Sequence, residues 1–321
     1  MTLTPVTTED YVRDVLPETF ALWGGGRDFA HYADDYRALA ASPFCRGHEL
    51  AVGMREGGTL VASCKLFRRE LRAGNTRLRA TGIGAVFTPT ALRGRGYATA
   101  MLAMVMDRAR AAGRDIAFLY SDLHPAFYER LGFVALPSRR LTLGAASLSG
   151  SRSGAVTLEP RDWTALRHCF DDLDARGGWG FTRTAAVWDW MHAKWTAPPL
   201  GSIQRVHLGV RRGRKIIAYV LGQRIPREDL FFVEEFAFTG DKGRAAVGPL
   251  LRAAAGDLRR VRGWMPPPHA RGALPRGSTT IRKNAIFMLV PLSPRGRTWW
   301  SAAARDTLGA RGDPVWTADH V

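Results

Sequence analysis

The run RGRGYA at residues 93–98 is the part of this sequence whose residue types and spacing suit chemistry best. Glycines let a backbone approach a ligand closely, and the unpaired N–H groups of a first helical turn attract anions. Arginine side chains at two positions of the run add positive charge there. The run therefore predicts a phosphate-binding turn made by Arg93, Gly94, Arg95, Gly96, Tyr97 and Ala98.

A strand and a helix must position this turn. Residues 81–88 are largely apolar with β-branched members, which favours a buried strand, and residues 98–112 carry an apolar stripe at helical spacing that Gly113 ends. A further strand is predicted at 116–120. A strand, a turn, a helix and a strand in this order can form a nucleotide site. The sequence has neither the dinucleotide-binding glycine pattern nor the P-loop pattern.

Two segments resemble motifs of the GNAT acyltransferase superfamily. Residues 93–98 fit the family pattern Arg/Gln-x-x-Gly-x-Gly/Ala, and residues 121–133, SDLHPAFYERLGF, are similar to the family's second motif, FYxRLGF. The resemblance covers residues 49–134. It implies acetyl-CoA as the acyl donor, an amine as the acceptor, and direct transfer in a ternary complex.

The resemblance also implies roles for single residues. Tyr128 occupies the position of the tyrosine that protonates the departing CoA sulfur in GNAT enzymes. Ser121 and Asp122 are secondary candidates on the cofactor side. The pantetheine arm and the thioester carbonyl are expected along the end of the preceding strand, at Val86, Phe87 and Thr88.

The general base is not identified by these motifs. Many GNAT enzymes use a glutamate on the strand before the phosphate turn, but residues 80–86 hold no carboxylate. In Eis-like acetyltransferases the terminal carboxylate of the chain serves as the base, which makes the carboxylate of Val321 the candidate here, with a frayed terminus as the alternative. Side chains that stay open as candidates are His31, Asp34, Asp35, Asp122 and His124.

Two domains are expected from the length of 321 residues and from the order of the predicted elements. Residues 1–145 read as the catalytic domain, 146–155 as a linker poor in large apolar side chains, and 156–321 as a repeat of a similar order. In that repeat the turn after residue 239 reads GDKGRAA, which departs from the family spacing and places an acid where a pyrophosphate would lie.

The predicted fold is therefore α/β: a mixed, mostly antiparallel GNAT sheet with flanking helices, followed by a second, degenerate GNAT-like domain that binds no acyl-CoA. This tandem arrangement resembles the Eis-like acetyltransferases, without their sterol-carrier-like domain.

Composition narrows the possible partners. The formal net charge is +17, and residues 151–321 carry +12 of it, but no nucleic-acid-binding motif accompanies the charge, so a nucleic acid is not the expected partner. No apolar run of membrane-spanning length, no secretion signal and no cysteine spacing typical of a metal site occurs, so we expect a cytoplasmic protein without a metal or a membrane partner. A non-catalytic acyl-CoA sensor and a basic nucleic-acid-binding protein stay open as alternatives. The acceptor amine and the oligomeric state are also open.

Overall fold

The computed structural model describes residues 2–46, 50–122, 124–148, 154–197, 199, 201–310 and 313–320. The strands are β1 (Leu3–Pro5), β2 (Ala51–Glu56), β3 (Thr59–Ala73), β4 (Thr76–Phe87), β5 (Ile116–Ser121), β6 (Val134–Ala135), β7 (Arg139–Gly144), β8 (Ala155–Thr157), β9 (Trp179–Thr182), β10 (Gln204–Arg212), β11 (Lys215–Ile225), β12 (Leu230–Phe238), β13 (Arg260–Trp264), β14 (Ser278–Ile281) and β15 (Ile286–Pro291). The helices are α1 (Thr8–Asp14), α2 (Leu16–Trp23), α3 (Phe29–Ala41), α4 (Tyr97–Ala111), α5 (Pro125–Glu129), α6 (Trp163–Asp174), α7 (Ala185–Thr196), α8 (Gly240–Ala255), α9 (Pro268–Arg271) and α10 (Pro294–Gly309).

These elements build two mixed sheets with helices against them, so the predicted α/β class is confirmed. The first sheet has the order β1-β2-β3-β4-β5-β15-β6, and β9 pairs with β3 beside it. The second has the order β14-β7-β13-β12-β11-β10-β8. Each contains a run of antiparallel strands followed by one parallel pair, which is β4 with β5 in the first sheet and β12 with β13 in the second.

The two sheets exchange strands. β15 pairs antiparallel with β5 along the whole of β5, from Ile286 opposite Ser121 to Pro291 opposite Ile116. In the second sheet β7 pairs antiparallel with β13. The first sheet therefore contains two strands from the predicted second domain, β9 and β15, and the second sheet contains one from the predicted first domain, β7. The division of the chain at 146–155 stays a prediction, but the sheets do not follow it.

Several elements differ from the predictions. The sequence predicts one helix over residues 9–22, but the structure has two, which meet at Val15, with Pro17 in the first turn of the second. The sequence also predicts a helix over residues 244–260, but α8 ends at Ala255, where Gly256 adopts a φ of +62°, and β13 follows. After the last strand the sequence predicts a tail, but the segment after β15 begins with helix α10, capped by Ser293.

The two faces of the first sheet are covered by different helices. On one face, which we call the α4 face, Cys64 and Ile83 pack with the α4 residues Leu102 and Val105. On the opposite face, Phe67 belongs to a cluster that includes residues of α1 and α3. Because neighbouring residues of a strand point to opposite faces, Cys64 and the next residue, Lys65, are divided between them.

Candidate active site

A gap in the first sheet lies where the sequence predicts the cofactor. β4 and β5 pair in parallel from Ala80 opposite Ile116 to Ile83 opposite Leu119, and the pairing stops there although both strands continue. We call the gap between residues 84–87 of β4 and 120–121 of β5 the strand opening. Main-chain groups on both sides of such an opening are available to an extended ligand.

A bulge in β4 lies at the strand opening. In the pairing with β3, Phe87 lies opposite Ser63 and Gly84 opposite Lys65, so two residues of β4 face a single residue of β3. One of the two is Ala85, whose φ is +46°. This left-handed conformation costs a non-glycine residue about 1–2 kcal/mol. Such local strain concentrates at functional sites, and a bulge re-aims the backbone groups next to it.

The predicted phosphate turn leads from the strand opening into α4. Gly94 and Gly96 have φ values of +79° and +82°, in the left-handed region that favours glycine. A Cβ at either position would meet no atom within 4 Å, so the backbone conformation, and not a lack of space, is the reason for glycine here. Gly96 is the N-cap of α4, and no side chain caps its first turn. Arg93 donates to the carbonyl of Thr88, 3.3 Å away. An uncapped helix start with arginines beside it suits a pyrophosphate.

Tyr128 lies on α5 on the α4 face. Its ring is half-buried, with ring centroids 5.0 Å from Phe127 and 6.1 Å from Phe133. Burial, followed by the neighbouring Cys64 and Asp122, raises the pKa of Tyr128 to about 12. The hydroxyl therefore keeps its proton at neutral pH and can donate it.

Other predicted cofactor residues divide into those with free polar groups and those already engaged. The hydroxyls of Ser121 and Thr88 are buried and have no hydrogen-bond partner among the described residues. Such groups are rare in native proteins and suggest a missing ligand. The carboxylate of Asp122 instead accepts from the N–H of Ala285 at 2.9 Å, and the hydroxyl of Tyr97 donates to Glu56 at 2.7 Å. The backbone N–H of Tyr97 therefore remains available to a ligand.

The candidate bases whose positions are described are exposed or already hydrogen-bonded, and Asp122, which follows Ser121, adjoins the strand opening. Those on α3 pair with neighbours on its exposed surface: His31 with Asp28, Asp34 with Arg37, and Asp35 with Arg27. His124 is exposed at the start of α5, and Asp122 holds a backbone group as described above. Val321 lies outside the described residues.

The described end of the chain nevertheless reaches the first sheet. His320 lies edge-on to Tyr120 at the end of β5, with ring centroids 4.6 Å apart. Asp319 accepts from Arg69 of β3 and from Arg183, each at 3.1 Å, and these three side chains are at most 3% exposed. Although burial alone would raise the pKa of Asp319, the two arginines hold it below its usual range.

Sequence reasoning missed this buried network and also Lys65. The nearest signal for Lys65 is a lone charge within the apolar run LVASCKLF at residues 60–67. For Asp319 there was no local signal, because its partners lie 250 and 136 residues away in the sequence.

The structure has no helix long and apolar enough to cross a membrane among its described residues. Within the same residues no group of His, Cys, Asp and Glu could hold a metal ion.

Comparisons with known proteins show a family match within the first part of the chain. Residues 29–135 match the family model described as an acetyltransferase (GNAT) domain. A curated protein named lysine acetyltransferase, from Yarrowia lipolytica, is 28% identical in an alignment of 183 residues that covers 47% of this chain and 45% of that protein. This chain thus spans less than half the length of that relative. Residues 29–135, which match the GNAT acetyltransferase domain, include the phosphate turn and Tyr128.

Solved structures extend the likeness to nearly the whole chain. A GCN5-related N-acetyltransferase from Kribbella flavida is 18% identical, with a TM-score of 0.69 over 92% of this chain and 73% of that one. Eis1 from Mycobacterium abscessus is 12% identical, with a TM-score of 0.62 over 91% of this chain and 74% of that one. A tandem GNAT protein from the clavulanic acid biosynthesis pathway is 13% identical, with a TM-score of 0.52 over 91% of this chain and 99% of that one. At these identities the comparison shows the fold, which is a tandem GNAT fold.

Proposed function

We propose that this protein is an N-acetyltransferase that moves an acetyl group from acetyl-CoA directly to an amine in a ternary complex. The observation that carries the proposal is the convergence, at one strand opening, of an uncapped glycine turn, a strained bulge and a protonated tyrosine. The GNAT domain match over residues 29–135 and the curated lysine acetyltransferase relative support it.

Each group has a distinct task in this proposal. The N–H groups and arginines of residues 93–98 hold the pyrophosphate. Residues 86–88 hold the pantetheine arm and the thioester carbonyl, and the unpartnered hydroxyls of Ser121 and Thr88 supply further hydrogen bonds. Tyr128 gives its proton to the departing sulfur.

The second sheet is proposed to bind no acyl-CoA. Its equivalent opening, between β12 and β13, is lined by residues 315–317 of the chain's own end, and the ring of Trp316 lies 5.0 Å from that of Phe236. The start of α8 also lies tight against β11, because a Cβ on Gly243 would stand 2.1 Å from the carbonyl oxygen of Ile217. Both features leave little space for a pantetheine arm.

The proposal places the protein in the cytoplasm. The three cysteines of the chain, Cys45, Cys64 and Cys169, are all buried and free, as in proteins of a reducing compartment. The proposal does not include a nucleic acid as a partner.

Thiol release from acetyl-CoA in the presence of a panel of amines tests the proposal. We expect turnover with at least one amine, and a fall in kcat of about 10²-fold in Tyr128→Phe because the proton donor is lost. The Kd for acetyl-CoA, measured by calorimetry, should stay within about twofold. Tyr32→Phe, which removes a hydroxyl on α3 that lies 3.4 Å from Thr19 Oγ1, is the matched control. Binding of acetyl-CoA without thiol release for any amine would instead support a sensor.

A further inference from the structure

Lys65 lies in an environment that is unusual for a lysine. Its ammonium nitrogen lies 4.7 Å from the ring centroid of Tyr36 and 5.3 Å from that of Tyr11, and the two rings stack at 4.5 Å. Among the described residues it has no carboxylate partner and no hydrogen bond. By contrast Lys194, which is also half-buried, donates to the carbonyl of His320 at 3.2 Å.

Among the residues that the structure describes, the groups that face Lys65 are uncharged at neutral pH. Tyr11 comes from α1, Tyr36 from α3, and Cys45 from the segment after α3. Burial raises the pKa of each of the three, so none becomes an anion near pH 7. Its partners in the sheet are Ala51 of β2 and Gly84 of β4, which carry no ionisable group. Burial without an anion lowers the pKa of Lys65 to about 8.

Lys65 is linked to the proposed site through its pairing with β4. Its partner Gly84 directly precedes the bulge residue Ala85 at the strand opening. Cys64, the residue before it, belongs to the α4 face, where Tyr128 also packs, whereas Lys65 points to the opposite face and contacts α1 and α3. Lys65 therefore lies one strand away from the strand opening, on the side of the sheet opposite Tyr128.

We propose that Lys65 is the general base that takes a proton from the acceptor amine. This inference rests on the proposed function, because it assigns a role within the same acetyl transfer. It fills the place left open by the absence of a carboxylate in residues 80–86.

The acceptor amine enters the site as the ammonium ion R–NH₃⁺. The neutral amine of Lys65 takes one proton and leaves R–NH₂, whose lone pair forms the C–N bond to the acetyl carbonyl while the C–S bond breaks. Tyr128 gives its proton to the sulfur, and the second proton lost by the nitrogen restores the tyrosine. Lys65 then releases its proton to water. The net products are the amide, the free thiol of CoA and one proton.

The environment suits both states that a base must adopt. With a pKa of about 8, about a quarter of the Lys65 side chains are neutral at pH 7.5, against about 0.1% at the ordinary value of 10.5. The stacked rings of Tyr11 and Tyr36 stabilise the ammonium form after the proton is taken, because a cation over an aromatic face is attracted to it. A base whose pKa lies near the working pH is the most effective.

Two substitutions separate a base from a site that merely attracts an anionic acceptor. Lys65→Arg keeps a positive charge but cannot give up its proton near neutral pH. Lys65→Met removes both the charge and the basic nitrogen. Lys242→Arg, at an exposed position of α8, is the matched control for the chemical change.

The experiment measures kcat and KM for the best amine acceptor from pH 6 to 9.5 in the wild type and the three variants. We expect the wild-type kcat to rise with pH along one limb with a midpoint near 8. Lys65→Arg should lower kcat about 10²-fold or more and remove this limb, with the acetyl-CoA Kd changed less than about twofold. Lys242→Arg should behave like the wild type.

Contrary results have separate meanings. A Lys65→Arg variant that keeps kcat and the pH limb overturns the assignment, as does one that restores the activity lost in Lys65→Met, since the role would then be anion recognition. A short C-terminal extension that removes the limb while Lys65→Arg does not would assign the base to the chain terminus. A wild type that binds acetyl-CoA but acetylates no amine would overturn the proposed function, and the role of Lys65 with it.

A measurement on the wild type covers the case in which the variants do not fold. Competitive labelling with acetic anhydride across pH, read by mass spectrometry, gives the titration of Lys65 directly. A midpoint near pH 8 supports the assignment, and a midpoint above 10 overturns it.

Discussion

Replacing Lys65 by methionine should stabilise the folded protein at neutral pH. A lowering of the pKa from 10.5 to about 8 means that the charged lysine costs the folded state about 3 kcal/mol relative to the unfolded chain. Methionine has a similar length and no charge, so it removes this cost and loses the attraction of the Tyr11 and Tyr36 rings, worth about 1 kcal/mol. We expect a net gain of about 2 kcal/mol in the free energy of unfolding at pH 7.

The sign of the pH dependence makes this prediction sharper. Between pH 8 and 10.5 the unfolded chain still binds the lysine proton and the folded protein does not, so the stability of the wild type rises with pH through that window. The methionine variant lacks this rise, and its advantage should disappear by about pH 10. Urea unfolding of both proteins at pH 7 and pH 10, monitored by tryptophan fluorescence, gives the difference in the free energy of unfolding between variant and wild type. The contributions of the other titrating groups cancel in this difference. A variant less stable than the wild type at pH 7, or an advantage of equal size at both pH values, would refute the reasoning.

Three further predictions concern the turn, the chain end and the strand exchange. Gly96→Ala places a Cβ at a φ of +82°, at a strain of about 1–2 kcal/mol, and should weaken acetyl-CoA binding about tenfold by calorimetry; an unchanged Kd would count against the turn as the pyrophosphate site. Asp319→Asn leaves Arg69 and Arg183 buried without this counter-charge and should lower the free energy of unfolding by about 3–5 kcal/mol in urea; wild-type stability would show that the network is not what anchors the chain end. A fragment of residues 1–145 lacks β15, which leaves β5 as an open edge, and should aggregate or lack a cooperative thermal transition; a folded monomer that binds acetyl-CoA would contradict this.

The strand, turn and helix around the phosphate site could be predicted from the sequence because their signals are local. The strand expected at 81–88 lies within β4, which runs from Thr76 to Phe87, and the helix expected at 98–112 is α4, which runs from Tyr97 to Ala111. Apolar periodicity and glycine positions determine such elements within the span of a few residues. The same local signals could not show the bulge at Ala85, because a bulge depends on the register with a neighbouring strand.

The exchange of β7 and β15 could not be predicted for the same reason. Each strand has only six residues, and no motif in either one indicates which sheet receives it. The choice depends on pairing between residues more than 110 positions apart, as for Gly144 with Arg260 and Ser121 with Ile286. The predicted repeat of elements was useful for recognising a tandem fold, but element order carries no information on which sheet receives a strand.

The acid and the base proposed for this site owe their states to one physical cause. Burial penalises the charged form of any group, so it raises the pKa of Tyr128 to about 12 and lowers that of Lys65 to about 8. Between these values the tyrosine keeps the proton that the sulfur needs, and the lysine is free to take one from the amine. A carboxylate in the same apolar setting would be pushed toward its protonated, inactive form, whereas a lysine is pushed toward its basic form. The absence of a carboxylate from residues 80–86 is therefore consistent with an active site. In this proposal Lys65 is the base instead, because burial in the apolar sheet lowers its pKa.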